Sequence, residues 1–312
     1  MKRMLLFTAL VVLVLGLMAC GGQTPAAPEP EPEIVERVVT AIVTQMVEGE
    51  SVEVIQTEIV REEVVVTATP EPEQAVVFES SRPDTLVNAT FGGPEGFDPA
   101  LNYETSGNGI ISNVYEPLIF YDGTNAQEFV PMLAESYEVS EDGLTYTFTI
   151  REGITFHDGA ELTPSDVAYS FQRGILQGGP SSPQFLFTEP FLGVGIYDIA
   201  ETIDPVLAGA PEELAAADSA ALAGACESVM SKIVADDDAG TVVMTLAQPW
   251  APFLATAAGS WGSIVDQEWA AANGAWDGDC ATWQNFYGVT SENNPLNAIM
   301  NGTGPYMLDH WT

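Results

Sequence analysis

Positive charge is what this sequence has least of: among 312 residues, 8 are Lys or Arg against 45 Asp or Glu, a formal net charge of −37. A field of that sign repels phosphate backbones and anionic headgroups, so nucleic acid is excluded as a partner. Histidine is scarce too, with only His157 and His310. Two isolated imidazoles and three scattered cysteines leave no metal-ligand spacing and no obvious nucleophile–base pair. Phosphate loops are also missing. "GVGIYD" at 193–198 lacks the third glycine of a dinucleotide loop, no Gly-Lys-Ser/Thr occurs, and "ADDDAG" at 235–240 lacks the alternating ligands of an EF-hand. No cofactor and no metal is therefore expected.

What is present begins with an export signal. "MKRMLLFTALVVLVLGLMAC" sets Lys2 and Arg3 before an apolar run from Met4 to Ala19, followed by Cys20. The run is short for a bilayer span, which needs about 20 apolar residues. Leu17 three residues before Cys20 and small Ala19 just before it resemble a bacterial lipobox, which makes 1–19 a lipoprotein signal peptide and Cys20 the lipidated new N-terminus. Cys226 and Cys280 then lie in an oxidising compartment, where a disulfide is favoured over free thiols or metal binding.

Residues 20–82 read as a tether or stalk. "GGQTPAAPEPEPE" and "TATPEPEQ" are Pro/Glu spacers that cannot form a core. Between them, Val35, Val39, Ile42 and Met46, then Val52, Ile55 and Ile59, recur at helical spacing around Gly49, which suits a two-segment helical stalk or coiled coil. Valine richness argues equally for strand, and a weakly structured stalk is the favoured expectation.

From about Pro83 the chain is globular. "DTLVNATF" reads as a buried strand, "GNGIISNVYEPLIFYDG" as a helix leading into a strand, and "SYEVSEDGLTYTFTI" as a hairpin turning at "SEDG". "REGITFHDG" reads as a short strand ending in a turn, with His157 in that turn as scaffold. "LTPSDVAYSFQR" starts a helix with Thr163 as N-cap, Pro164 at the first helical position and Asp166 three residues after the cap. "ADDDAG" reads as a hairpin turn. The mixture predicts an α/β or α+β domain.

Three blocks in order, "FDPALNYETSGNGIISNVYEPLIFYDG", "FVPMLAESYEVSEDGLTYTFTIREGITFHDGAELTPSDVAYSFQR" and "NGTGPYMLDHW", resemble the extracellular solute-binding proteins of oligopeptide, dipeptide and nickel type (family 5) that serve ATP-binding-cassette importers. The resemblance implies an α/β fold of the type II periplasmic-binding-protein kind: two lobes closing on a ligand, with 83–312 as the first lobe and the second lobe missing. It also implies a peptide or other small solute as ligand, a membrane permease as partner, anchorage through the lipid, a location on the outer face of the cytoplasmic membrane and a monomeric state. By the same resemblance "NYETSGNG" and "ATAAGSWGSIVD" face the cleft, so Tyr103, Glu104, Thr105, Ser106, Trp261, Gly262 and Ser263 are the candidate ligand contacts. The acidic, aromatic stretch 275–288 departs from the family pattern, and no role for it follows from the sequence. Two other classes stand beside a binding module without chemistry of its own: an exported hydrolase built on a carboxylate pair, and a surface structural or adhesive protein suggested by the stalk.

Overall fold

The computed structural model describes residues 33–47, 50–64, 82–90, 92–180 and 182–311. The chain divides into two units, Met1–Leu86 and Val87–Thr312. The signal peptide 1–19, Cys20 and the spacers lie outside the described residues.

In the first unit, β1 (Glu33–Val47) and β2 (Glu50–Val64) pair antiparallel over their whole length, from Glu33 opposite Val64 to Val47 opposite Glu50. This corrects the helical or weakly structured stalk. Both arms are rich in valine and isoleucine, whose branched Cβ is stiff in a helix and suits an extended pair. Two arms of equal length flanking Glu48-Gly49 then align without slippage. Apolar spacing by three and four was a weaker signal than residue type.

The second unit begins with a further correction. Residues 84–90 form no strand, and Leu86 and Val87 are 94% and 73% exposed. A strand needs a ladder partner, and this run has none among the described residues. Helix α1 (Thr105–Val114) leads into β3 (Ile119–Asp122), which pairs with β4 (Asn125–Pro131). Strands β5 (Ala134–Val139) and β6 (Thr145–Ile150) form the expected hairpin around residues 140–143. The stretch 151–159 contributes only an isolated Thr155–Glu161 bridge and a turn at Gly159, where φ is +95°, rather than the strand anticipated. Next come α2 (Pro164–Gln177), α3 (Phe185–Leu192), α4 (Pro211–Ala215) and α5 (Ser219–Met230). A second hairpin, β7 (Ile233–Asp236) and β8 (Thr241–Thr245), turns through the acidic run 237–240 as expected, and short helices α6 (Phe253–Ala257) and α7 (Gln267–Ala272) follow.

The main sheet runs β5-β6-β8-β7, antiparallel throughout. On β6 Tyr146, Phe148 and Ile150 are buried in alternation, and Val242 and Met244 do the same on β8. Phe253 packs on Tyr146 at 4.6 Å between ring centroids and on Phe191 at 5.6 Å, so α3 and α6 are joined to the sheet through aromatic edges. Burying each such ring or aliphatic side chain contributes about 1.5–3 kcal/mol. Helix α2 starts as its sequence requires: Thr163 Oγ1 accepts from Asp166 N, and Thr163 N donates to Asp166 Oδ2, a complete capping box.

The segment before α1 is held by a buried ion pair. Arg173 of α2 donates through both terminal nitrogens to Asp98, at 2.6 and 2.9 Å, and Asn294 and the Ala100 N–H complete the shell of that carboxylate. Burial alone would raise the Asp98 pKa, but the Arg173 guanidinium and these donors outweigh it and hold the group below its ordinary 3.8. Among the described residues no helix is long and apolar enough to cross a membrane.

Candidate functional site

Helix α1 starts at Glu104, whose backbone is extended (φ −103°, ψ 155°) and whose carboxylate accepts from Ser106 N at 2.5 Å and Gly107 N at 2.6 Å. The same carboxylate accepts from Asn102 Nδ2 at 3.1 Å and Glu95 N at 3.3 Å. Partial burial pushes its pKa up, and these four donors, Asn102 foremost, pull it further down. Glu104 is thus occupied as a helix cap. A Cβ on Gly107 would press on the Asn102 amide and the Glu104 carboxylate, so a larger residue there would displace both side chains. Thr105 is exposed and Ser106 half-buried on the first turn.

The second candidate segment comes from 150 residues downstream and meets the first directly. The turn Ser260–Gly262 follows α6. Trp261 Nε1–H donates to the Asn102 carbonyl at 3.1 Å, its ring lies 5.7 Å from Tyr103, and Ser260 Oγ donates to Asn108 Oδ1 at 2.9 Å. A Cβ on Gly262 would run into the Ala257 carbonyl, so glycine lets the turn close onto α6. Ser263 is buried beside Pro117, and its Oγ has no hydrogen-bond partner among the described residues.

Tyr103 stands at the centre of a row. Its ring is 59% exposed, with Trp261 on one side and Phe185 at 6.0 Å on the other. Two depressions lie in this region, and the row borders the larger of them. One, of about 270 Å³, is bordered by Ser112, Glu116, Ser260, Ser263 and Pro305; the other, of about 630 Å³, by Tyr103, Phe185, Tyr197, Asp198 and Glu201. The chain's closing stretch runs along the first. Gly304 N donates to Val114 O at 2.9 Å and Thr303 Oγ1 to Glu116 Oε2 at 2.7 Å, and side chains at Gly302 or Gly304 would clash with the end of α1.

His157 fixes that stretch. Its Nε2–H donates to Gly304 O at 2.7 Å and its Nδ1 accepts from Gly302 N at 3.3 Å, the pattern of a neutral imidazole spent on backbone. His310 is exposed beside Asp309 at 2.7 Å. Carboxylates of Asp166, Asp266 and Glu268 lie within 4.8 Å of one another. Burial raises the pKa of Asp166 and of Asp266, yet Asp166 caps α2 while receiving Gln267 N, and Asp266 caps α7 through Trp269 N. Asp166 and Asp266 thus serve as caps at helix starts.

Sequence reasoning had no role for 275–288, and the structure supplies one. Trp276 stacks on Tyr169 at 5.8 Å and 14°, Trp283 Nε1–H donates to Leu222 O at 2.9 Å, and the Tyr287 hydroxyl donates to Asp198 Oδ2 at 2.8 Å. A disulfide joins Cys280 to Cys226 of α5 across 54 residues, with Cα atoms 5.5 Å apart. The segment is a staple across α2, α5 and the 198–209 loop. Only Cys280 signalled it in advance.

Aromatic faces, hydroxyls and backbone groups border the two depressions, the kinds of group a binding protein uses. Both imidazoles are already engaged, one with backbone and one with its neighbouring aspartate. That class narrows on comparison with known proteins. A family model, bacterial extracellular solute-binding proteins, family 5 (middle region), matches residues 128–312, and the chain belongs to this family. The dipeptide-binding protein of Escherichia coli K12 is 32% identical over 246 residues, 75% of this chain and 37% of that protein. Heme-binding protein A of Haemophilus influenzae is 43% identical over 104 residues, 31% of this chain and 19% of that protein. Among solved structures, the periplasmic binding protein DppA from Helicobacter pylori in complex with the peptide STSA is 27% identical, covers 70% of this chain and 36% of that one, and has a TM-score of 0.43. The chain thus spans a little over a third of the length of the relatives it matches most broadly. The described residues mix helices with antiparallel sheet.

Proposed function

We propose that this chain forms one wall of the ligand cleft of an importer's solute-binding protein. It takes a peptide or a similar small solute, performs no chemistry on it, and passes it to an ATP-binding-cassette permease. The observation that carries this reading is the junction of residues 102–108 with 260–263 through Trp261 and Ser260, which leaves the Tyr103 ring open beside the larger depression. Tyr103, Thr105, Ser106, Trp261 and Ser263 are the side chains offered to the solute. Glu104 and Gly262 shape the two turns that present them. Aromatic faces beside hydroxyls and backbone groups suit an extended peptide with varied side chains. Wide sampling of side chains requires roomy pockets, which the two depressions supply.

In this reading a second lobe, contributed by sequence beyond the span described, closes over the solute, excludes water and adds contacts. One lobe alone offers half a site. Lipidation at Cys20 anchors the protein, as a monomer, at the outer face of the cytoplasmic membrane. Calorimetry with short peptides tests the binding role: residues 83–312 alone bind weakly or not at all, whereas the protein carried through the family's full length binds stoichiometrically. Mass spectrometry of the recovered peptide then separates a binder from a hydrolase. Detergent partitioning of Cys20→Ser tests the anchor, since unchanged membrane retention would remove the lipid from the account.

A further inference from the structure

The larger depression is walled by aromatic side chains and carboxylates. Two tyrosines and a phenylalanine border it: Tyr103, 59% exposed, Tyr197, 55% exposed, and Phe185, whose edge meets the Tyr103 ring. Two carboxylates share that border. Asp198 is buried and spent: Oδ2 accepts from Tyr287 Oη and Gly179 N, and Oδ1 accepts from Ala200 N. Glu201 is half-buried and accepts from Tyr197 N through Oε2 at 3.1 Å, which orients the group and leaves Oε1 for another donor. Among the described residues no Lys or Arg lines the depression.

The wider charge distribution points the same way. From residue 87 to 312 the sequence holds Arg151, Arg173 and Lys232 as its only strong bases, against 31 acidic residues. Arg173 is locked to Asp98 in the interior, and Arg151 donates to the Met132 carbonyl at 3.2 Å. A carboxylate-bearing group entering the depression finds negative potential, whereas an organic cation finds π faces and a carboxylate oxygen. A hard metal ion would need six or more oxygen ligands, and three aromatic rings cannot provide them.

We propose that this depression is a subsite for the guanidinium or ammonium group of the bound solute, with Glu201 as its ion-pair partner and Tyr103, Tyr197 and Phe185 as its aromatic walls. The inference rests on the solute-binding reading, because Tyr103 belongs to both the subsite and the proposed peptide-contacting row. It makes the solute class basic: arginine- or lysine-containing peptides, or other organic cations, in preference to neutral or acidic ones.

Titration of the protein carried through the family's full length with N-acetyl-arginine N-methylamide and its neutral isostere N-acetyl-citrulline N-methylamide, followed through the ring resonances of Tyr103, Phe185 and Tyr197, tests this. The arginine amide should saturate the Tyr197 and Phe185 shifts at a concentration at least tenfold below the citrulline amide. Glu201→Gln, which keeps an oxygen for Tyr197 N–H, should shrink that preference to under threefold. Phe185→Ala, at an exposed position, should weaken the arginine amide at least threefold. Equal affinity for the two amides, no shift at Tyr197, or an unchanged preference in Glu201→Gln would each overturn the subsite. Trialanine N-methylamide, read at the Trp261 indole proton, reports separately on the solute-binding row. A response there without one from the arginine amide at Tyr197 removes the cationic subsite and leaves the solute-binding reading standing; the reverse keeps the subsite and removes that row as the peptide contact.

Discussion

Two polar clusters lie at the two ends of one short segment, residues 97–108, and they are built on opposite plans. At Asp98 both carboxylate oxygens are engaged by Arg173, Asn294 and the Ala100 N–H, and the whole group is sealed from water. At Tyr103, five residues on, an aromatic ring is left in the open at the border of the larger depression. Groups with complete internal shells fix geometry, and in the proposed reading the open ring meets the ligand. The comparison teaches that the segment is anchored at one end so that the other can be presented. Substitutions at the first cluster should therefore cost stability, and at the second they should cost binding.

The largest effect is expected at the anchored end. Asp98→Ala strands the Arg173 charge in the interior and should lower the unfolding free energy by about 3–5 kcal/mol in urea titrations. The acid limb of stability shares this origin. The folded pKa of Asp98 is depressed, so its contribution is complete above 3.8 and is lost as pH falls from there through the folded value. Asp98→Asn should flatten that limb, seen as a smaller loss of Tm between pH 4 and pH 2; an unchanged limb would mean that other carboxylates set it.

Opening the Cys226–Cys280 bridge by a double serine substitution should cost about 2–4 kcal/mol, because it releases a loop of 54 residues. Two alkylatable thiols in protein made under oxidising conditions would contradict the bridge itself. Gly262→Ala drives a methyl group into the Ala257 carbonyl, and the shift needed to relieve it should cost about 1–3 kcal/mol while displacing Trp261. Smallest in stability is Tyr103→Ala. An exposed ring outside the core should change the unfolding free energy by no more than about 0.5 kcal/mol, and a large loss of stability there would break the contrast between the two ends.

Much of the scaffold was legible because its signals are local. The Thr163–Asp166 box, the turn at 140–143 and the hairpin at 237–240 each depend on residues within a few positions of one another. The juxtaposition of Tyr103–Ser106 with Trp261–Ser263 came from family resemblance, since no spacing rule links segments 150 residues apart. The Asp98–Arg173 pair, 75 residues apart, and the stapling role of 275–288 were not readable, because tertiary packing alone gives an isolated aspartate or tryptophan its partner. The errors have the same cause. A β-rich 84–90 without a ladder partner stays exposed, and β-branched arms at helical spacing pair as strands once each lies opposite the other.

The central claim is that the open row around Tyr103 holds a solute without transforming it. Calorimetric titration of a short basic peptide into the protein carried through the family's full length, as wild type and as Tyr103→Ala, tests it directly. The account predicts one peptide bound per chain, recovered intact, with affinity at least tenfold weaker in Tyr103→Ala and Tm unchanged. Equal affinity in the two proteins would move the site elsewhere on the molecule, and a cleaved peptide would make the protein an enzyme.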